Sequence, residues 1–144
     1  MKKYSVPIEN GREGRSRNGL RAEINLGLKK GYEGFAQEKG EVLEFLTGLY
    51  VKAGEEGKNF VPFVVTDSVI TYAYPTDKGW VAAHEPGLVL TSDKSPLYAA
   101  EMSDEEWKEL VEWFAAQLGS KFQQFRVYVT YTRTEEVKIL QRES

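Results

Sequence analysis

Val42, Phe45, Leu46, Leu49 and Ala53 recur at three- and four-residue spacing, and the same apolar stripe returns 65 residues later as Trp107, Leu110, Val111, Phe114 and Leu118. This spacing places each set on one face of a helix. A chain with two such stripes must bury both, and the segments around them show against what. Phe60–Thr66 and Phe125–Arg133, which follow the two helices, are rich in β-branched and aromatic residues, as strands are. Gly54 with Gly119, Phe60 with Phe125 and Val64 with Val129 keep the same offset, as do the strands around Ile24 and Val89. The chain reads as one domain, 1–144, built from pseudo-repeats at about 20–84 and 85–144.

A strand–helix–strand unit used twice predicts an α+β fold. The expected form is a ferredoxin-like sandwich from a duplicated β-α-β(β) unit, with a mainly antiparallel sheet and two helices on one face. The alternative is a paired βαβββ cup like that of the vicinal oxygen chelate proteins. That cup commonly carries His and Glu metal ligands on its strands, whereas this chain has one His.

The first helix is expected from about Gly40 to Ala53, stopped by Gly54 and Gly57. The second opens on Ser103, whose hydroxyl can cap it while Glu106 completes a capping box, and closes at Gly119. Strands are expected at Lys3–Glu9, Ala22–Leu28, Phe60–Thr66, Val69–Tyr74, Trp80–Ala83, Leu88–Ser92, Phe125–Arg133 and Val137–Leu140. Asp67-Ser68 reads as a turn and Pro75 as a strand end. Asn10–Gly19 reads as a mobile loop, and Lys29–Lys39 as a loop with two aromatics, Tyr32 and Phe35.

Several function classes drop out on composition. The chain has no cysteine, which excludes disulfide frameworks, thiolate nucleophiles and Cys-based metal sites. No apolar run approaches the roughly 20 residues of a membrane helix, and the basic N-terminus is followed by no apolar signal segment. A cytoplasmic protein without membrane contact is therefore expected. The net charge is −3, unevenly spread: residues 1–30 hold eight Lys/Arg against three Glu, and the rest is acidic. General double-stranded DNA binding is not expected, since it needs a basic face.

Three features bear on function. The first is the run Gly11–Arg21, with Arg12, Arg15, Arg17 and Arg21 among glycines. Arginine forks pair with phosphate or carboxylate, and glycine permits close backbone approach. The second is the sheet face away from the helices, where Arg126, Tyr128, Thr130 and Thr132 alternate; Tyr72, Tyr74, Tyr128 and Tyr131 sit on strands expected to be sheet neighbours. The third is His84, beside Glu85 but lacking the second histidine of a zinc-binding helix. Together they favour a non-enzymatic binding module, a homodimer or higher oligomer. It would hold a small anionic or nucleotide-like ligand, or a protein partner, between Arg12, Arg15, Arg17 and Arg21 and the open face at Arg126 and Tyr128. The alternative is a small enzyme using His84 with a carboxylate as acid and base. Neither reading calls for a metal or a cofactor.

Overall fold

The computed structural model describes residues 3–30, 35–58 and 61–144; Tyr32 and Phe60 lie outside them. Six elements form the body: β1 (Gly19–Gly27), α1 (Lys39–Glu55), β2 (Val64–Thr76), β3 (Gly79–Asp93), α2 (Asp104–Lys121) and β4 (Tyr128–Thr134). The sheet order is β2-β3-β1-β4 and every neighbouring pair is antiparallel. The α+β architecture, the antiparallel sheet and the two helices follow the expectation. The β-α-β-β-α-β order is that of the split β-α-β plan. The second half carries β4 and two-residue ladder segments after its helix, not the three full strands that a paired cup requires.

β1 organises the packing. Leu20, Ala22, Ile24 and Leu26 are buried, while Arg21 between them is exposed and Glu23 and Asn25 are half-buried. Directly opposed residues share a face, so Leu88, Leu90 and Ser92 of β3 lie on the same side. Both helical stripes close on that side in one core, with Val42, Leu46 and Leu49 beside Trp107, Val111 and Phe114. Aromatic contacts seal the join: Tyr50 and Phe63 each lie 5.5 Å from Phe114, and Phe45 meets Phe122 edge-on at 5.8 Å.

The 65-residue relation is a helical one. In the strands, core-facing residues correspond at 66, as in Ile24 with Leu90 and Val65 with Tyr131. Val64 and Val89, paired at 65 with Val129 and Ile24, face the opposite side, because one residue of slip flips a strand side chain.

The helix ends follow expectation at Gly57 and differ at Gly119. α1 ends in a Schellman arrangement, with Lys58 N–H donating to Ala53 O at 2.8 Å, Gly57 N–H to Gly54 O at 3.1 Å, and Gly57 at φ +72°. α2 runs past Gly119 and makes the same two bonds one residue later, with Gln123 at φ +53°. Gly119 serves packing instead: a Cβ there would lie 2.8 Å from Val127 Cγ2. The start of α2 is as expected, with Ser103 and Glu106 forming the complete capping box, worth about 1 kcal/mol.

Three strand boundaries are corrected. Asp67-Ser68 is not a turn and Pro75 does not end a strand; β2 continues through both. Trp80–Ala83 and Leu88–Ser92 are one strand, β3, of 15 residues. The reversal sits at Asp77-Lys78, where Gly79 takes φ +110° and Thr76 Oγ1 accepts from Lys78 N–H. β2 is an edge strand, the place in a sheet where a proline is tolerated. β3 pairs with β1 only from Gly87 to Asp93, so its outer half and that of β2 project as a two-stranded arm.

The Asn10–Gly19 segment is likewise more ordered than a mobile loop. Asn10 (φ 51°) and Gly11 (φ 76°) turn a short hairpin in which Ile8-Glu9 pairs with Arg12-Glu13. Asn-Gly suits a two-residue turn with both φ positive. Arg15-Ser16 then pairs with Val137-Lys138, and Tyr4-Ser5 with Gln141-Arg142.

Two outcomes follow. Leu49→Ala and Phe114→Ala should each lower stability by roughly 2–5 kcal/mol in urea unfolding, since both side chains are buried in one core. The second concerns Asp104, whose carboxyl is held below its usual range by hydrogen bonds from Arg133 first and then Lys94. A depressed carboxylate adds stability above its unfolded pKa, which is lost as pH falls. Asp104→Asn should flatten the decline in stability below about pH 4, with Glu106, lowered by its capping bonds, supplying slope that remains.

Candidate functional site

On the open face, where β1 ends, Gly27 and Gly87 are paired across the strands. A side chain at either position would displace its neighbours. A Cβ on Gly27 would lie 2.7 Å from Gln124 Oε1 and 3.1 Å from Glu85 Oε1; one on Gly87 would lie 2.8 Å from Ser68 Oγ. The glycine pair thus lets Gln124 and Glu85 settle onto the backbone and leaves a depression. Gln124 is fixed by its amide, which donates to Lys29 O at 2.7 Å and Phe122 O at 3.1 Å. The sharp chain reversal at Gln123 delivers it there.

Above this floor is a cavity of about 570 Å³. The arm supplies one wall through Ile70, Tyr72, Tyr74 and Glu85, which share a face by the β2–β3 register. The segment leading into β4 supplies the other through Phe125, Arg126 and Tyr128, with Lys29 at the rim. The Tyr72 and Tyr74 rings lie 6.2 Å apart and 36° inclined. Phe125 and Tyr128 are 94% and 65% exposed, so the cavity is open to solvent on that side. One carboxylate, two cations and four aromatic rings therefore meet around a volume of the size that holds a nucleoside-sized ligand.

The six expected ligand residues divide between places. Arg126 and Tyr128 line this cavity. Arg12 donates to Glu101 at 2.8 Å. Arg21 forms a bidentate pair with Asp93 at 2.9 and 3.2 Å, which drives its guanidinium further toward the charged form. Arg15 lies 3.7 Å from Glu136 and 3.9 Å from Glu13, and lines a smaller recess elsewhere. Arg17 is exposed. His84 is exposed on the arm, opposite Thr71, and does not line the cavity; its neighbour Glu85 does, because adjacent strand residues face opposite sides.

Tyr131 also separates from the other tyrosines. It faces the helices, with its hydroxyl 2.6 Å from Glu112 Oε2, and partial burial plus that carboxylate push its pKa strongly up. Sequence reasoning missed Lys29, Ile70, Glu85, Gln124 and Phe125 as site residues. The alternation Ile70-Tyr72-Tyr74 was a usable signal, while Gln124 and Lys29 gave none. Among the described residues no cluster of three or more His, Asp or Glu side chains is arranged to hold a metal ion, and no helix is long and apolar enough to cross a membrane.

Among solved structures the chain is similar to a phage SAM lyase in its apo state, with a TM-score of 0.60 and 16% identity, covering 97% of this chain and 96% of that one. It is also similar to a phage SAM lyase in complex with S-methyl-5′-thioadenosine, with a TM-score of 0.54 and 15% identity, covering 88% of this chain and 92% of the other. No family model and no curated protein matches it. Both structural neighbours are enzymes by name, and on that finding the expectation of a non-enzymatic binding module is withdrawn.

Proposed function

We propose that the chain is a lyase acting on S-adenosylmethionine in the cavity between the arm and the β4 lead-in. The observation that carries this reading is the near full-length likeness to the phage SAM lyases, one of them holding a thioadenosine. The cavity chemistry supports it. Tyr72, Tyr74, Phe125 and Tyr128 offer π faces on which a purine stacks and against which a sulfonium cation is attracted. Arg126 and Lys29 suit the substrate carboxylate. Glu85 is the acceptor-only group of the set and suits the cationic end of the substrate or its ribose hydroxyls.

In the reaction the carbon–sulfur bond to the four-carbon fragment breaks and its electron pair goes to sulfur. The sulfonium becomes the neutral thioether of S-methyl-5′-thioadenosine, and an oxygen of the fragment's own carboxylate forms the new bond to the carbon that sulfur leaves, closing a lactone without water or an oxidant. Positive charge at sulfur fades toward the transition state, so aromatic walls that displace water favour that state over the substrate in bulk solvent. Where the sequence suggested His84 with a carboxylate, the cavity presents Glu85, whose charge steadies the cationic end of the substrate.

The same reading includes self-association, to a homodimer or higher oligomer. The open side exposes Phe125 (94%) and Tyr128 (65%), and the arm exposes Trp80 (74%) and Val69 (66%). Exposed aromatic side chains are enriched at interfaces. The nucleotide-like ligand expected from the sequence becomes the substrate, and a cytoplasmic site of action fits a substrate made inside cells.

Incubation of the purified chain with S-adenosylmethionine should release S-methyl-5′-thioadenosine, read by liquid chromatography. Glu85→Gln should lower kcat/KM about 10- to 100-fold without unfolding the chain. Absence of product above the enzyme-free control would sink the lyase reading. Sedimentation at tens of micromolar, a range that captures modest affinities, should give a mass at least twice 16.4 kDa; a single monomeric species would count against association.

A further inference from the structure

A second recess, of about 290 Å³, lies at the other end of the molecule. Arg15, Ser16, Asn18 and Gly19 approach it from the segment entering β1, and Lys94 and Ser95 from the segment leaving β3. Unused donors collect there. The Arg15 side chain is 25% exposed, and its Nε is buried without a hydrogen-bond partner. The nearest carboxylate oxygens, on Glu136 and Glu13, stand at 3.7 and 3.9 Å, too far for a direct bond.

Lys94 Nζ donates to Met102 O at 2.6 Å and Asp104 Oδ1 at 3.1 Å, leaving the third of its three protons. Ser95 Oγ accepts from the N–H groups of Leu97 and Tyr98, so its own proton is available. Thr134 Oγ1, set against Gly19, is also buried without a partner. Four buried side-chain polar atoms lack a partner among the described residues, and one of them, Arg15 Nε, belongs to a residue that lines this recess. A buried donor left unmade is unfavourable, so the Arg15 guanidinium is short of an acceptor.

The charge balance gives that acceptor a sign. Asp104 lines the recess, but it is already held by Arg133 at 2.6 Å and by Lys94. Glu136 is shared between Arg15 and Lys138 and lies within the influence of Arg17. The cluster thus sets Arg15, Arg17, Lys94, Arg133 and Lys138 against Glu13, Asp104 and Glu136, an excess of cations in a chain of net charge −3.

We propose that this recess binds a small oxyanion of the phosphate type, held by the Arg15 guanidinium, the remaining Lys94 proton and the Ser95 hydroxyl. Donors approaching from two separate segments suit a tetrahedral anion, and guanidinium hydrogen bonds to phosphate are among the strong ones. The volume lies below the usual range of drug-sized ligand sites, which favours a free anion over a whole nucleotide. The site is separate from the tyrosine-lined cavity and does not depend on the lyase reading.

Titration of the full chain with inorganic phosphate at fixed ionic strength tests it, with adenosine monophosphate as a second arm. Binding should appear with a Kd of about 1 mM or tighter, with amide NMR shifts centred on Ser16, Asn18, Gly19 and Ser95. Arg15→Ala should weaken binding about tenfold or more while the far-ultraviolet circular dichroism is retained. Weaker binding of the monophosphate points to free phosphate as the source; tighter binding with the same shifts points to the phosphate of a nucleotide. Should Arg15→Ala fail to fold, Arg15→Gln and the shift map of the unmodified chain still decide. No binding of either anion, shifts centred elsewhere, or undiminished binding in a folded Arg15 variant overturns the proposal.

Discussion

The burial of alternate residues along β1 is the constraint on which the remainder depends. Leu20, Ala22, Ile24 and Leu26 present an unbroken apolar row to one side, and two helices of matching stripe spacing are needed to cover it. Because β1 is central, with β3 on one flank and β4 on the other, its register sets theirs. Whatever its other face carries is thereby fixed as the open surface. Each directly opposed pair inherits its side from β1, so the helix-facing core and the open cavity are two consequences of one alternation.

The cavity depends on where that row stops. Past Gly27, β1 no longer accompanies β3, and the β2–β3 hairpin runs on as an arm with one strand neighbour instead of two. The Gly27–Gly87 pair at the boundary is the last rung shared by the three strands. Having no side chains, it lets Gln124 and Glu85 descend between the arm and the β4 lead-in. An open face that would otherwise be a flat wet sheet acquires depth there, and the tyrosines of β2 and β4 acquire a common space.

Charge is handled differently at the two ends of the sheet. At the cavity, Glu85, Lys29 and Arg126 stand around a space large enough for a ligand to lie among them. At the other end the arginines are drawn toward carboxylates contributed by distant parts of the chain, Arg12 of the N-terminal segment to Glu101 and Arg21 of β1 to Asp93 across the ladder. Exposed pairs of this kind contribute little to stability. They do orient the N-terminal segment against the β3–α2 connection, and Arg15 is left the least satisfied of those paired.

By itself the sequence determined the two helices, the capped start of α2, the alternation of β1 and β4 and hence an antiparallel α+β sandwich with an open face. These are local periodicities and capping patterns, written in neighbouring residues and readable wherever the period is unbroken. It misplaced what depends on partners far along the chain. Pro75 looked like a strand end until β2 proved to be an edge, and Asp67-Ser68 looked like a turn until β3 lay beside them. Gly119 looked like a helix stop until Val127 was seen to need its space. The arginine run read as one group before Glu101 and Asp93 drew Arg12 and Arg21 to separate places. The choice of Glu85 over His84 for the cavity was likewise a tertiary decision. Adjacent strand residues face opposite sides, and only the pairing of β3 with β1 and β2 settles which side holds the tyrosines.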